Sequence, residues 1–348
     1  MHITRPLLLL ALLALLTALW AGWLRLGWVL PGTPALALAH GPLMIMGFLG
    51  ALIPLERAVA LRQRWMFIAP LLAGLGVPVL LIQPGAGRVL FVLSSLFTLG
   101  ILGVMVKREP SLHTFTMALG ALALVVGNGL WLAGQPLYRV VYAWIAFLVL
   151  TIGGERLELN RVRRPSPSQV RLFLAAVGLL LLGVGGVWVN PVLGARLLGL
   201  ALVALGLWFL VADIARPNLR HPNPLTRYMA ICLFGGFLWL VIGGGLFLSL
   251  GALYAGPYYD AALHAILVGF VLVMIFGHAP VILPALLGRP VGYHPGYYVP
   301  LGLLHFSLVL RLAGDLALDH VLRRWGGLVN GLAVLLFFVL ILRSLRHK

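Results

Sequence analysis

Twelve apolar stretches dominate the chain of 348 residues, and each is long enough to cross a lipid bilayer. About 20 apolar residues span the hydrocarbon core as an α-helix, and every backbone polar group in lipid must be bonded within its own segment. With 62% hydrophobic and 9% charged residues, too few charges remain to build a water-facing surface. The sequence therefore predicts an all-α, polytopic membrane protein that forms one transmembrane domain over residues 1–348. The predicted spans lie near residues 7–24, 36–56, 66–82, 88–106, 113–133, 137–154, 169–188, 192–213, 228–250, 258–283, 297–317 and 326–342.

The basic residues predict the orientation of these spans. The net charge is +17, and most Lys and Arg fall on one side of the membrane if the N-terminus is inside, including Arg164, Arg346 and Lys348. Cytoplasmic loops carry such an excess, so both termini are expected in the cytoplasm. We expect the bacterial or archaeal cell membrane as the location and the lipid bilayer, not nucleic acid, as the partner of this charge.

Spans 2, 6 and 10 share a short stretch of similar sequence. The segment GFLGALIPLER of span 2 aligns with AFLVLTIGGER of span 6, which makes Glu56 and Glu155 equivalent. In the same frame GFVLVMIFGH of span 10 places His278 at that position. Four spans separate each pair, so the pattern predicts three four-helix repeats with pseudo-threefold symmetry, at about 1–110, 111–216 and 217–348.

Ionisable and polar residues inside the spans are the candidate functional residues, because they are costly in a bilayer. His40 and His264 both lie early in even-numbered spans, so we expect them at similar depth near the outer side. Two neutral imidazoles can hold a haem iron from both faces, although each histidine can instead bond a backbone carbonyl and pack the bundle. Asn128 is expected to face the bundle interior, whereas span 1, which lacks ionisable residues, is expected to face lipid.

Three arginines are candidates to bind the haem propionates, since all three fall on the outer side. They are Arg311, Arg323 and Arg324. Arg311 also lies one helical turn from Asp315, and the two are predicted to pair.

These residues resemble those of a known family. Ala39-His40 followed by LMIMGFLGALIP is similar to helix 2 of haem–copper oxidase subunit I, and YYDAALHAILVGF is similar to its helix 10. In that family both helices supply low-spin haem ligands, and an Arg doublet follows helix 11. Ala262 stands where the family has its high-spin haem ligand, and spans 6 and 7 lack the histidines that bind copper.

The resemblance therefore implies a haem b protein without the usual oxygen-reducing centre. The chain looks most like the NnrS family, which is associated with denitrification and nitric oxide stress. The implied partners are nitric oxide or another small diatomic ligand, and a quinol or other redox partner. If the protein is an enzyme, the resemblance implies a haem-dependent oxidoreductase acting on nitric oxide.

A second site is a further hypothesis. Its candidate residues are His278, His305, Glu56 and Glu155, which could bind copper, another transition metal or a second haem, or could pass protons. The two glutamates are interpreted first as partners of the arginines that follow them, in ion pairs at the membrane boundary. Two other functions stay open, namely a secondary transporter and a non-catalytic assembly subunit of a respiratory complex.

Overall fold

A computed structural model of the chain describes residues 3–163 and 165–345. Arg164, Arg346 and Lys348 of the topology prediction lie outside these ranges. Within the described residues twelve helices are long and apolar enough to cross a membrane, which confirms the predicted fold class. We call them spans 1 to 12: Thr4–Arg25, His40–Leu61, Arg64–Ile82, Pro84–Arg108, Leu112–Leu132, Leu137–Arg163, Pro167–Gly186, Pro191–Ala212, Pro224–Leu250, Pro257–Leu287, Pro295–Leu316 and His320–Arg343.

Prolines and capping side chains fix where many spans begin. Proline occupies the first turn of five long helices, where its missing N–H has no partner to lose. Ser166, Asn190, Asn223 and Asp319 accept hydrogen bonds from the backbone N–H groups that follow them. These caps explain how short loops can join so many helices.

Spans 2 and 10 share a backbone feature that the sequence did not predict. Leu43–Leu49 and Ala265–Leu272 form π-helix, and each stretch follows a histidine, His40 or His264. Each stretch also contains a glycine in close contact. A Cβ on Gly47 would lie 2.5 Å from Val77 Cγ2, and one on Gly269 would lie 2.4 Å from Trp239 Cγ. Wide helical turns of this kind are often found at functional sites.

The chain divides into two compact units. The first comprises Met1–Phe147 with Ile282–Pro290, and the second comprises Leu148–Val281 with Val291–His347, each within the described ranges. The three repeats and their symmetry stay a prediction.

The first unit is organised by a buried amide. Asn128 is fully buried and accepts a hydrogen bond from Trp144 Nε1 at 2.9 Å, while its own amide nitrogen donates to the carbonyl oxygen of Phe91 at 3.2 Å. This confirms that Asn128 faces the interior. Span 1 is packed rather than wholly lipid-facing, because small residues such as Ala11 and Ala18 are buried against its neighbours.

In the second unit, spans 7, 8 and 9 pack side by side, and span 9 also packs on the π-helical stretch of span 10. Three glycines let the backbones of spans 7, 8 and 9 approach each other closely: Gly183, Gly199 and Gly244. A Cβ on any of these glycines would lie within 3 Å of a backbone atom of the neighbouring span. Spans 11 and 12 form an antiparallel pair. These two spans approach closely at two glycines, because a Cβ on Gly314 would meet the backbone of Arg323 and one on Gly326 would meet the backbone of Arg311.

Candidate functional site

His40, in the first unit, lies against span 1. Its Nδ1 donates a hydrogen bond to the carbonyl oxygen of Ala18 at 2.7 Å. Gly22, one turn after Ala18, makes this possible, because a Cβ there would lie 2.9 Å from both Nδ1 and Cε1 of the ring. A carbonyl only accepts, so Nδ1 carries the hydrogen and the neutral ring has its lone pair on Nε2.

His264, in the second unit, has the same arrangement around Nδ1. This atom donates to the carbonyl oxygen of Asp260, one turn earlier, at 2.8 Å, and lies 3.3 Å from the Asp260 carboxylate. His264 is therefore also held with its lone pair on Nε2. A carboxylate beside Nδ1–H makes an imidazole a stronger ligand.

A buried group of two aspartates and two arginines surrounds His264. Arg311 donates through Nε at 3.0 Å and a terminal nitrogen at 2.7 Å to Asp260. Arg323 Nε lies 2.9 Å from Asp315 and 3.6 Å from Asp260. Two basic and two acidic side chains therefore lie together in a region where an unpaired charge would be costly.

The prediction that Arg311 pairs with Asp315 is wrong, because each of these side chains has a different partner. Arg311 crosses to Asp260 on span 10, and Asp315 is paired by Arg323 on span 12. The contacts between helices outweigh the one-turn spacing of Arg311 and Asp315 along span 11, because both ion pairs form between helices and away from water. Arg324, which follows Arg323, is half-buried at the start of span 12.

His278 lies on span 10, 14 residues beyond His264, or about 21 Å along a helix. Its Nδ1 donates to the carbonyl oxygen of Met274 at 2.7 Å, and its Nε2 is buried without a hydrogen-bond partner among the described residues. The charges that act on it are those of Arg156, Glu155 and Asp213.

Arg156 is bound by Asp213, a residue that the sequence analysis did not pair with it. Its guanidinium donates two hydrogen bonds to the Asp213 carboxylate, at 2.8 and 2.7 Å, and both side chains are at most 2% exposed. The boundary ion pair expected between Glu155 and Arg156 is therefore not the contact that holds this arginine. The end of span 6 turns inward because Asp213, at the end of span 8, lies in the core of the second unit.

His305, on span 11, has the opposite tautomer. Trp239 Nε1 donates to His305 Nδ1 at 2.9 Å, and the two ring planes lie within 7° of parallel. An indole N–H only donates, so Nδ1 carries the lone pair and Nε2 carries the hydrogen. His305 therefore presents a donor at the atom where His40, His264 and His278 present a lone pair.

The four residues of the predicted second site come from both units. Glu56 belongs to the first unit, whereas His278, His305 and Glu155 belong to the second. Among the described residues, no three His, Cys, Asp or Glu side chains are placed to hold a metal ion together. A second haem or copper at this site stays a prediction.

Each of the two predicted haem ligands, considered within its own unit, has the tautomer and the fixed ring that binding to a haem iron requires. Both rings are fixed by Nδ1–H donation to a carbonyl, the arrangement that orients most metal-binding histidines. The pocket at Gly22 has no room for a side chain beside the His40 ring. The arginines predicted for the propionates, Arg311 and Arg323, already bind protein carboxylates, so Asp260 and Asp315 would share them.

Three functional contacts were missed in the sequence. Asp260 could have been found, because an aspartate one turn before a histidine in an apolar span is a strong local signal. The Arg156–Asp213 and Trp239–His305 contacts join residues 57 and 66 positions apart, and no local pattern marks them.

Comparison with known proteins gives a family but no activity. None of the curated proteins compared with the chain matches it. One family matches residues 5–346, and its description names no ligand, reaction or partner. Since the match extends over nearly all twelve spans, the chain belongs to the family described as a domain of unknown function, DUF8744.

Proposed function

We propose that this protein is a haem b-binding integral membrane protein in which His40 and His264 are the axial ligands. One observation carries the proposal. Each histidine donates Nδ1–H to a backbone carbonyl, so Nε2 holds the lone pair that iron requires, and each lies within three residues of the start of a π-helical stretch. His305, whose Nε2 carries the hydrogen, lacks this property.

The surrounding residues hold the ligands and balance charge. Ala18 and Gly22 set the orientation of His40, and Asp260 sets that of His264. Arg311 and Arg323 provide counter-charges for Asp260 and N–H donors for carboxylates. Arg324, which follows Arg323 in the chain, adds a third positive side chain for the propionates.

Held by His40 and His264, a haem b would supply one-electron transfer or the binding of a diatomic gas such as nitric oxide. Membrane electron transfer, or the handling of nitric oxide in a bacterial or archaeal cell membrane, is therefore the proposed role. The resemblance to haem–copper oxidases and NnrS proteins supports this role.

The test is the reduced-minus-oxidised visible spectrum of protein purified in detergent, with a pyridine haemochrome assay for haem b. We expect sharp low-spin bands and about one haem per chain. His40→Ala and His264→Ala should each lose the low-spin spectrum, because a single imidazole leaves the iron without its second axial ligand. Nitric oxide added to the reduced protein should then be followed in the same spectrum.

His278→Ala is the matched control. This histidine is on the same span as His264 and makes the same contact with the carbonyl four residues earlier, yet it lies about 21 Å away. The control should keep the low-spin bands. A colourless wild-type protein would refute the haem proposal and would favour transport or an assembly role.

A further inference from the structure

His305 places a hydrogen-bond donor in the middle of a membrane span. It lies ten residues from Pro295 and eleven from Leu316, the ends of span 11, or about 15 Å from each. The hydrocarbon core is about 30 Å thick, so the imidazole is near its midplane. Trp239 fixes the tautomer, and Nε2–H has no hydrogen-bond partner among the described residues.

The His305 ring lies at the membrane-facing surface of the second unit. The ring is partly exposed, and on the same span Phe306 is 65% and Val309 56% exposed. On span 9, Leu238 and Ile242 are exposed beside the partly exposed Gly235. The partly exposed ring therefore lies among exposed apolar side chains, where molecules dissolved in the bilayer can approach it.

One glycine packs against the His305 ring, and another leaves open space one turn away on span 11. A Cβ on Gly235 would lie 3.1 Å from Cε1 and Nε2 of His305, so the ring rests directly on the backbone of span 9. Gly302, one turn before His305, is exposed, and a Cβ built there would meet nothing within 4 Å. The seam between spans 9 and 11 thus has no side chain above the imidazole edge at these two positions.

We propose that this seam binds the head group of a membrane quinone, with one quinone carbonyl oxygen accepting a hydrogen bond from His305 Nε2. The occupant must reach the midplane, be largely apolar and offer an acceptor to a neutral N–H donor. Phospholipid ester and phosphate oxygens stay at the interface, about 15 Å away, whereas a quinone ring with an isoprenoid tail moves within the hydrocarbon. Trp239 beside His305 offers an aromatic surface for the flat ring.

Binding at this seam does not depend on the proposed haem. Only the further role of the quinone as electron donor or acceptor rests on the proposed function. The two can fail separately, because His40→Ala should lose the haem and still bind quinone.

The experiment is photolabelling of the full-length protein in lipid nanodiscs with an azido-ubiquinone, in competition with decylubiquinone or a short-chain menaquinone. We expect saturable competition, with label on peptides from spans 9 and 11. His305→Phe should weaken binding about tenfold, the factor that one hydrogen bond is worth. His305→Gln should bind within about threefold of wild type, because its amide nitrogen can occupy the position of Nε2.

The paired variants separate loss of the donor from loss of the fold. Phenylalanine keeps the ring on Gly235 and removes the donor, whereas glutamine restores the donor without the ring. Wild-type labelling that is not competed by quinone, that is competed by phospholipid, or that maps to other spans would overturn the proposal. Equal affinity of His305→Phe and wild type would do the same.

Discussion

The buried ion pair of Arg156 and Asp213 lets the effect of a single substitution be calculated from its contacts. Asp213 accepts two hydrogen bonds from Arg156, one from Asn160 at 3.3 Å and one from the backbone N–H of Ala215 at 2.7 Å. Asp213→Ala leaves a buried guanidinium without its counter-ion. Removing one partner of a buried pair costs about 3–5 kcal/mol, and the backbone donor left at Ala215 adds about 1–3 kcal/mol.

Removing both charges should cost much less. In the double variant Arg156→Met with Asp213→Leu, no charge is left without a partner, and such apolar replacements are often neutral or stabilising. The two substitutions should therefore be strongly non-additive, with the double variant more stable than Asp213→Ala.

The single cysteine of the chain provides the assay. Cys232 is fully buried, so a thiol-reactive fluorophore should label it only when the second unit unfolds. At a fixed heating rate in detergent, Asp213→Ala should lower the unfolding temperature of the second unit by on the order of 10–30 °C. A temperature within about 1 °C of wild type, or a double variant no more stable than Asp213→Ala, would show that this pair does not stabilise the fold as argued.

Three further predictions concern the ligands and the topology. Gly22→Ala should lower the haem content in the haemochrome assay, because the new Cβ would lie 2.9 Å from the His40 ring and break the hydrogen bond to Ala18. Gly103→Ala is the control, because a Cβ there would meet nothing within 4 Å. Asp260→Asn should raise the reduction potential in a redox titration, since it removes a negative charge beside His264, and an unchanged potential would contradict that role. Alkaline phosphatase fused to the C-terminus should be inactive and green fluorescent protein fused there should fluoresce, as expected for a cytoplasmic end.

The fold was predictable because the bilayer leaves few choices. A chain of apolar stretches that cannot leave backbone groups unbonded in lipid must form helices, and the twelve observed helices follow the predicted spans closely. Their ends differ by a few residues where a proline or a cap, such as Pro84 in span 4, begins the helix earlier than hydropathy suggests.

The candidate site was predictable only in part. His40 and His264 stood out because each is an ionisable residue in an apolar span, and Asn128 stood out because its amide is polar. The partners of Arg311 were assigned incorrectly from one-turn spacing, because Asp260 reaches it from another span.

The sequence by itself determined that this chain is a helical membrane protein and which few polar residues must be accommodated inside it. Those conclusions follow from the cost of burying charge and unbonded backbone in hydrocarbon, a cost that each segment carries alone. Only the tertiary structure decided which polar groups pair, where the helices widen into π-turns, and which ring nitrogen of each histidine carries the hydrogen. Those properties depend on the neighbour across the bundle, such as Trp239 for His305 and Ala18 for His40.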